Sequence, residues 1–131
     1  MKIHIIIGST RPGRVGPQIA QWLISNLSID TNGEYEIVDI ADFKLPIFDE
    51  RIHPSLNQYE HTHTKTWSQK IKSADAYIFL TPEYNAGYPA SLKNAIDYLY
   101  HEWQDKPVMI ASYGVGGGPT ASAQLRQVAE R

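Results

Sequence analysis

The chain contains no cysteine. Disulfides, iron–sulfur clusters, thiolate zinc sites and thiol nucleophiles are excluded, and low-molecular-weight phosphatase chemistry goes with them. A surplus of one charge is also missing: 12 Lys and Arg against 14 Asp and Glu leave a formal net charge of −2. That balance lacks the clustered basic excess of a nucleic-acid binder. It also argues against a strongly acidic carrier that docks on basic partners. No apolar run approaches the roughly 20 residues of a membrane span, and Met1-Lys2-Ile3-His4 enters a strand without a signal-peptide pattern. The expectation is a cytoplasmic protein with neither membrane nor nucleic acid as partner. Two nucleotide signatures are absent as well. Gly8 and Gly13 have Walker A spacing, but Arg14-Val15 replaces the phosphate lysine and the Mg²⁺ hydroxyl, and Gly8-x-Thr10 lacks the second glycine of a dinucleotide fingerprint. A receiver domain needs an acidic pair after its first strand, where this chain has Gly8-Ser9.

What is present is organised around Ala76–Tyr100. Ala76 to Leu80 reads as a strand buried on both faces, Thr81 to Pro89 as a turn-rich loop, and Leu92, Ala95, Ile96 and Leu99 as one helical stripe. Before it, Ile3–Ile7 is a buried first strand, and Gly8–Gly16 a loop. A helix follows, with Pro17 at its first position and Ala20, Leu23, Ile24 and Leu27 on its stripe. Asn32-Gly33 is a turn signal. Tyr35–Ile40 carries two acids in partial alternation, as an edge strand does. A long connection, Ala41–Leu56, leads to a helix over Tyr59–Ser73 with Trp67, Ile71 and Ala74 facing inward. After the central stretch, Lys106–Ser112 reads as a buried fourth strand and Ser112–Gly118 as a loop. The last helix starts at Pro119, with Ala121, Leu125, Val128 and Ala129 on its stripe.

Strands alternating with helices predict a parallel sheet covered on both faces. With the second strand at an edge, the order 2-1-3-4 follows, with a topological switch between strands one and three. This is a flavodoxin-like, doubly wound single domain over residues 1–131. The fourth strand would be an edge without charge, bulge or proline. The expectation is that a fifth strand is missing after Arg131 or that something else covers that side.

In this winding three unusual loops share one rim. Gly8–Gly16 places glycines, hydroxyls and Arg11 before a helix N-terminus, a setting for one phosphate. TPEYNAGYP offers amides, an acid and two tyrosines; SYGVGGG lets backbone approach a flat ligand where a Cβ would clash. Together they suit a phosphorylated planar cofactor such as flavin mononucleotide (FMN).

GSTRPGRVG, TPEYNAGYPASLKNAIDYL and SYGVGGG, in this order and spacing, resemble the NADPH-dependent FMN reductase family of quinone, azo-dye and chromate reductases. The resemblance implies FMN as cofactor and NADPH or NADH as reductant. It implies a small-molecule electron acceptor (quinone, azo compound, free flavin or metal oxyanion) and a homodimer or homotetramer. It assigns the FMN phosphate to Ser9, Arg11, Val15 and Gly16. The ribityl chain and ring edge fall to Pro82, Glu83, Tyr84 and Asn85, and the ring flank to Ser112, Tyr113, Gly114 and Gly117. Members usually continue into a fifth strand and last helix. No side chain is required as an obligatory acid or base, because the cofactor carries the chemistry. The rival reading is a flavodoxin-type electron carrier that oxidises no NAD(P)H itself.

Other features read as structural. His61-Thr62-His63 resembles a metal pair, but residues i and i+2 of a helix do not face each other. His4 and His101 read as satisfied structural residues, Asp49-Glu50 as solvated loop charges, and Trp22 and Trp67 as packing. Trp103 borders either the pocket or an interface, and Tyr84 either packs by the flavin or plugs a turn.

Overall fold

The computed structural model describes residues 1–27 and 33–131. The elements are β1 (Lys2–Ile7), α1 (Gly16–Leu27), β2 (Glu34–Asp39), α2 (Ile40–Phe43) and a 3-10 turn (Pro54–Leu56). They continue with α3 (Thr62–Lys72), β3 (Ala76–Pro82), α4 (Ala90–Asp97), β4 (Val108–Tyr113) and α5 (Pro119–Ala129). All strand pairs are parallel and the order is β2-β1-β3-β4, as the alternating pattern requires. Asn32 of the expected turn lies outside the described residues.

Strand alternation divides the core in two. Ile3, Ile5 and Ile7 of β1, with Ala76, Ile78 and Leu80 of β3, face α1 through Ala20. Ile6, Tyr77 and Phe79 face the other way, onto Trp67 and Ile71 of α3, Leu92 and Ala95 of α4, and Leu125 of α5. Every residue of β3 is buried, which explains its unbroken apolar run. Trp67 is fully buried, and its indole N–H donates to the Ala95 carbonyl at 2.8 Å. Truncating such an aromatic costs about 3–5 kcal/mol.

Several boundaries differ from the sequence reading, each for a physical reason. Thr81 and Pro82 continue β3, and Ser112 and Tyr113 continue β4, because the two strands stay in register to Pro82↔Tyr113. Helix α3 begins at Thr62, not near Tyr59. Glu50 accepts the backbone N–H groups of Glu60 and His61 at 2.9 and 3.0 Å, while Tyr59 donates to the buried Glu102 at 3.0 Å. Glu50 is thus a buried cap and not a solvated charge. The long connection holds α2, whose N-cap Asp39 accepts from Ala41 N, and the 3-10 turn. Strand β4 is not buried: Val108 and Met109 are 37% and 44% exposed, since α1 packs over β1, β2 and β3. Leu99 is buried beyond the end of α4. Val128 is half-buried and Ala129 exposed, so the α5 stripe is covered at Ala121 and Leu125 only. Trp22 is 62% exposed on α1 and packs nothing comparable to Trp67.

Candidate functional site

The loops after β1, β3 and β4 lie at the carboxyl ends of their strands, and each is tied to the other two through residues of the loops or of the strands and helices that flank them. Between the first and second, Gly8 N–H donates to Leu80 O at 2.9 Å and Ser91 Oγ donates to Gly8 O at 2.7 Å. Between the first and third, the Tyr113 hydroxyl lies 3.4 Å from Ser9 Oγ. Between the second and third, Glu83 Oε2 accepts from Thr120 N at 2.9 Å and Ala121 N at 3.0 Å. Gln124 of α5 adds a bond to the Ala86 carbonyl at 3.0 Å. The circle is closed.

The first loop is packed tightly where it passes the sheet. A Cβ on Gly16 would sit 2.7 Å from Ser9 Oγ, 2.9 Å from Ile7 Cγ2 and 3.2 Å from the Tyr113 hydroxyl. Ser9 is fully buried there. Burial pushes the Tyr113 phenol up, so it stays a protonated donor. Arg14 braces the loop from outside: it donates to Ser9 O at 2.8 Å and forks onto both oxygens of Asp39 at 3.0 and 2.6 Å. Hydrogen bonding to Asp39 raises the Arg14 pKa further. Arg11 and Val15 point outward and are exposed. Among the described residues Arg11 forms no ion pair. The loop therefore has one arginine committed to its shape and one available to an anion.

In the second loop Tyr84 and Gly87 exchange hydrogen bonds at 2.8 and 3.1 Å. Asn85 and Ala86 between them have φ of 48° and 60°. Two positive φ values make the tight hairpin turn in which asparagine is favoured, and an alanine there carries backbone strain. Tyr84 is 37% exposed at this tip. Pro82 is buried as the last residue of β3. The Glu83 carboxylate is spent on the N-terminus of α5, so what it offers a ligand beside that cap is its backbone.

The third loop is closed from within by Ser112 Oγ donating to Gly117 O at 2.8 Å and Gly117 N–H donating to Gly114 O at 3.1 Å. Nothing lies within 4 Å of a Cβ built on Gly116 or Gly117, and one on Gly114 would first meet Glu83 Cβ at 3.9 Å. The loop presents bare backbone to open space. The convergence expected from the strand order is met. Arg14, Asp39 and the α5 cap were not legible, because each joins residues distant in sequence. A cavity of about 1130 Å³ lies elsewhere, by the start of β4, bordered by Tyr100, Trp103, Lys106 and Val108. Trp103 thus borders this cavity and packs with Trp67, Tyr77 and Phe79.

Residues 1–130 match the family described as NADPH-dependent FMN reductase. The chain belongs to that family. It is 48% identical over 130 residues to an NAD(P)H-dependent FMN reductase of Schizosaccharomyces pombe, covering 98% of this chain and 65% of that protein. It is 31% identical over 136 residues to a quinone reductase of Escherichia coli, covering 98% and 69%. Among solved structures, the flavoenzyme NAD(P)H:(acceptor) oxidoreductase FerB of Paracoccus denitrificans has the same fold, with TM-score 0.75, 24% identity and coverage of 98% and 70%. The chain thus spans about two-thirds of the length of these relatives. The rim of this FMN reductase family member fits the cofactor in the family's name. It offers a pinched polar loop with a spare arginine for a phosphate and a Cβ-free wall for a flat ring.

Proposed function

We propose that this chain binds FMN across the three-loop rim and serves as an NAD(P)H-dependent reductase of a quinone-like acceptor. The observation that carries the reading is the closed circle of bonds joining Gly8, Ser91, Ser9, Tyr113, Glu83 and Thr120. In the reading, Arg11 and the amides of Gly8–Gly16 hold the phosphate, with Ser9, Val15 and Gly16 shaping the loop. Pro82, Glu83, Tyr84 and Asn85 lie along the ribityl chain and ring edge. Ser112, Tyr113, Gly114 and Gly117 flank the ring.

FMN bound there would supply two-electron redox chemistry between a nicotinamide and an acceptor. The protein's part is to orient and to tune. Backbone amides near Asn85 and Gly114 would help stabilise negative charge on the bound cofactor, as fixed dipoles do for developing anions. The absence of side chains at Gly114, Gly116 and Gly117 leaves room for the flat ring to lie against the backbone, so nicotinamide and acceptor would be received away from this wall. A quinone is the first choice because the E. coli relative is named for it; azo compounds, free flavin and metal oxyanions share the planar or electron-poor character. The working form is a homodimer or homotetramer in the cytoplasm, where NADPH is supplied.

Anaerobic mixing of the FMN-loaded protein with NADPH tests the reading. Bleaching of the flavin absorbance in a single two-electron step, with colour restored by a benzoquinone, is expected. A flavin that NADPH and NADH both leave oxidised would instead make the chain an electron carrier.

A further inference from the structure

Two histidines that helical spacing would hold apart are brought together here. His61 is the N-cap of α3 in an extended conformation, φ −85° and ψ 143°, so His61 and His63 do not follow helical geometry across Thr62. Their rings stack at 5.0 Å with 13° between planes. Both present Nε2 to one carboxylate: His63 Nε2 lies 2.9 Å from Asp49 Oδ1, and His61 Nε2 lies 3.9 Å from Oδ2 and 3.3 Å from the Asp49 carbonyl. The Tyr98 hydroxyl donates to the same Asp49 Oδ1 at 2.8 Å and fixes its orientation.

The charge around this group is one-sided. Glu50 and Glu60 stand beside it, with ligand atoms of Glu50, Glu60 and His61 all within 4.8 Å of one another. Among the described residues, none of Asp49, Glu50 and Glu60 is paired with a lysine or arginine. Glu50 answers the positive end of α3 by accepting its leading N–H groups, and Asp49 is held by His63 and Tyr98 without a lysine or arginine beside it. The side chains of Asp49, His61 and His63 are 36%, 41% and 26% exposed, open enough for an ion to enter and for the rings to turn toward it.

We propose that Asp49, His61 and His63 form a binding site for a divalent transition-metal ion of the imidazole-seeking kind, Cu²⁺, Ni²⁺ or Zn²⁺. Two imidazoles with one carboxylate suit these ions, and calcium and magnesium, which prefer all-oxygen sites, are disfavoured. Each imidazole gives its Nε2 lone pair; the proton that Nε2 shares with Asp49 moves to Nδ1 or to solvent. An ion held at about 2.0–2.1 Å from each nitrogen requires His61 to move closer to Asp49 than the 3.9 Å it keeps here. Occupancy would pin the Pro46–Arg51 loop to α3, adding to the clamp that Asn94 already makes on Phe48 N and Pro46 O at 2.8 and 2.7 Å.

Untagged, FMN-loaded protein is titrated with Cu²⁺ and followed by calorimetry and electron paramagnetic resonance. One saturable site with two imidazole nitrogens is expected, and Zn²⁺ should compete for it. His61→Gln and His63→Gln should each weaken binding at least tenfold and leave one nitrogen, with the flavin absorbance retained. A wild-type spectrum with fewer than two imidazole nitrogens, or binding unchanged in the double variant, would overturn the proposal.

Discussion

At the amino-terminal end of the sheet Glu36 receives Lys2 at 2.8 Å and Lys70 at 2.6 Å, with His4 Nε2 at 3.2 Å. At the carboxyl-terminal end Arg11 reaches solvent, and Gly116 and Gly117 of the third loop face open space. The first end spends its charge on itself. Hydrogen bonds from Lys2 and Lys70 hold the Glu36 carboxyl down at about 2. The second end is firm in its frame, through Arg14–Asp39 and Glu83–α5, but leaves groups over. Paired groups hold the fold; unpaired ones, set in a rigid frame, are what a ligand can use.

The largest break in that contrast comes from filling the open wall. Gly114 has φ of 153°, where a β-branched residue is an outlier. Gly114→Val should therefore strain the loop and occupy the ring's place. The variant should purify colourless with native far-ultraviolet circular dichroism; a fully yellow preparation would remove the third loop from the flavin wall. Next comes Arg11→Ala, which should weaken FMN binding by about 1.5–3 kcal/mol, the scale of a hydrogen bond to a charged group. Its thermal midpoint without FMN should not move. An unchanged dissociation constant would take Arg11 out of the phosphate site.

Asp39→Asn probes the frame beneath that site and should do less. It keeps one oxygen for Arg14 and loses the fork, costing about 1 kcal/mol of stability and weakening FMN severalfold through the loosened loop. Thermal melts with and without FMN separate the two effects, and an FMN affinity equal to wild type would make the Arg14 fork irrelevant to the rim.

The smallest effect belongs to the other end. His4 is fully buried with Nδ1 unpartnered, and burial outweighs Glu36 to lower its pKa. The folded state then binds fewer protons than the unfolded chain below the ordinary value. Stability contributed by neutral His4 is present above that value and is lost as pH falls through the window beneath it. Urea midpoints should decline modestly from about pH 7 to pH 5, and His4→Leu should flatten the decline. FMN affinity should be indifferent to the substitution, because the residue belongs to the self-paired end.

The parts of the fold read correctly from sequence are those fixed by local pattern. The Ile3–Ile7 and Ala76–Leu80 runs and the α1 stripe needed only periodicity, and the partial exposure of the edge strand β2 followed from its two acids. Errors cluster where a distant partner decides. Pro82 extends β3 because Tyr113 continues opposite it, and a composition rule sees only a loop-forming proline. Glu50 reads as solvated until Glu60 and His61 are folded against it, whereas Asp49 beside it is exposed as expected. For the rim, the loops themselves were legible through their glycines and Arg11. Arg14–Asp39 was not, since a bond across 25 positions leaves no local trace.

A crystal structure of the protein grown with FMN tests the central claim most directly. The phosphate should lie against the Gly8–Gly16 loop within reach of Arg11, with the ring over the Gly114–Gly117 backbone. Density for FMN at the β4-side cavity, or a phosphate away from the first loop, would contradict it.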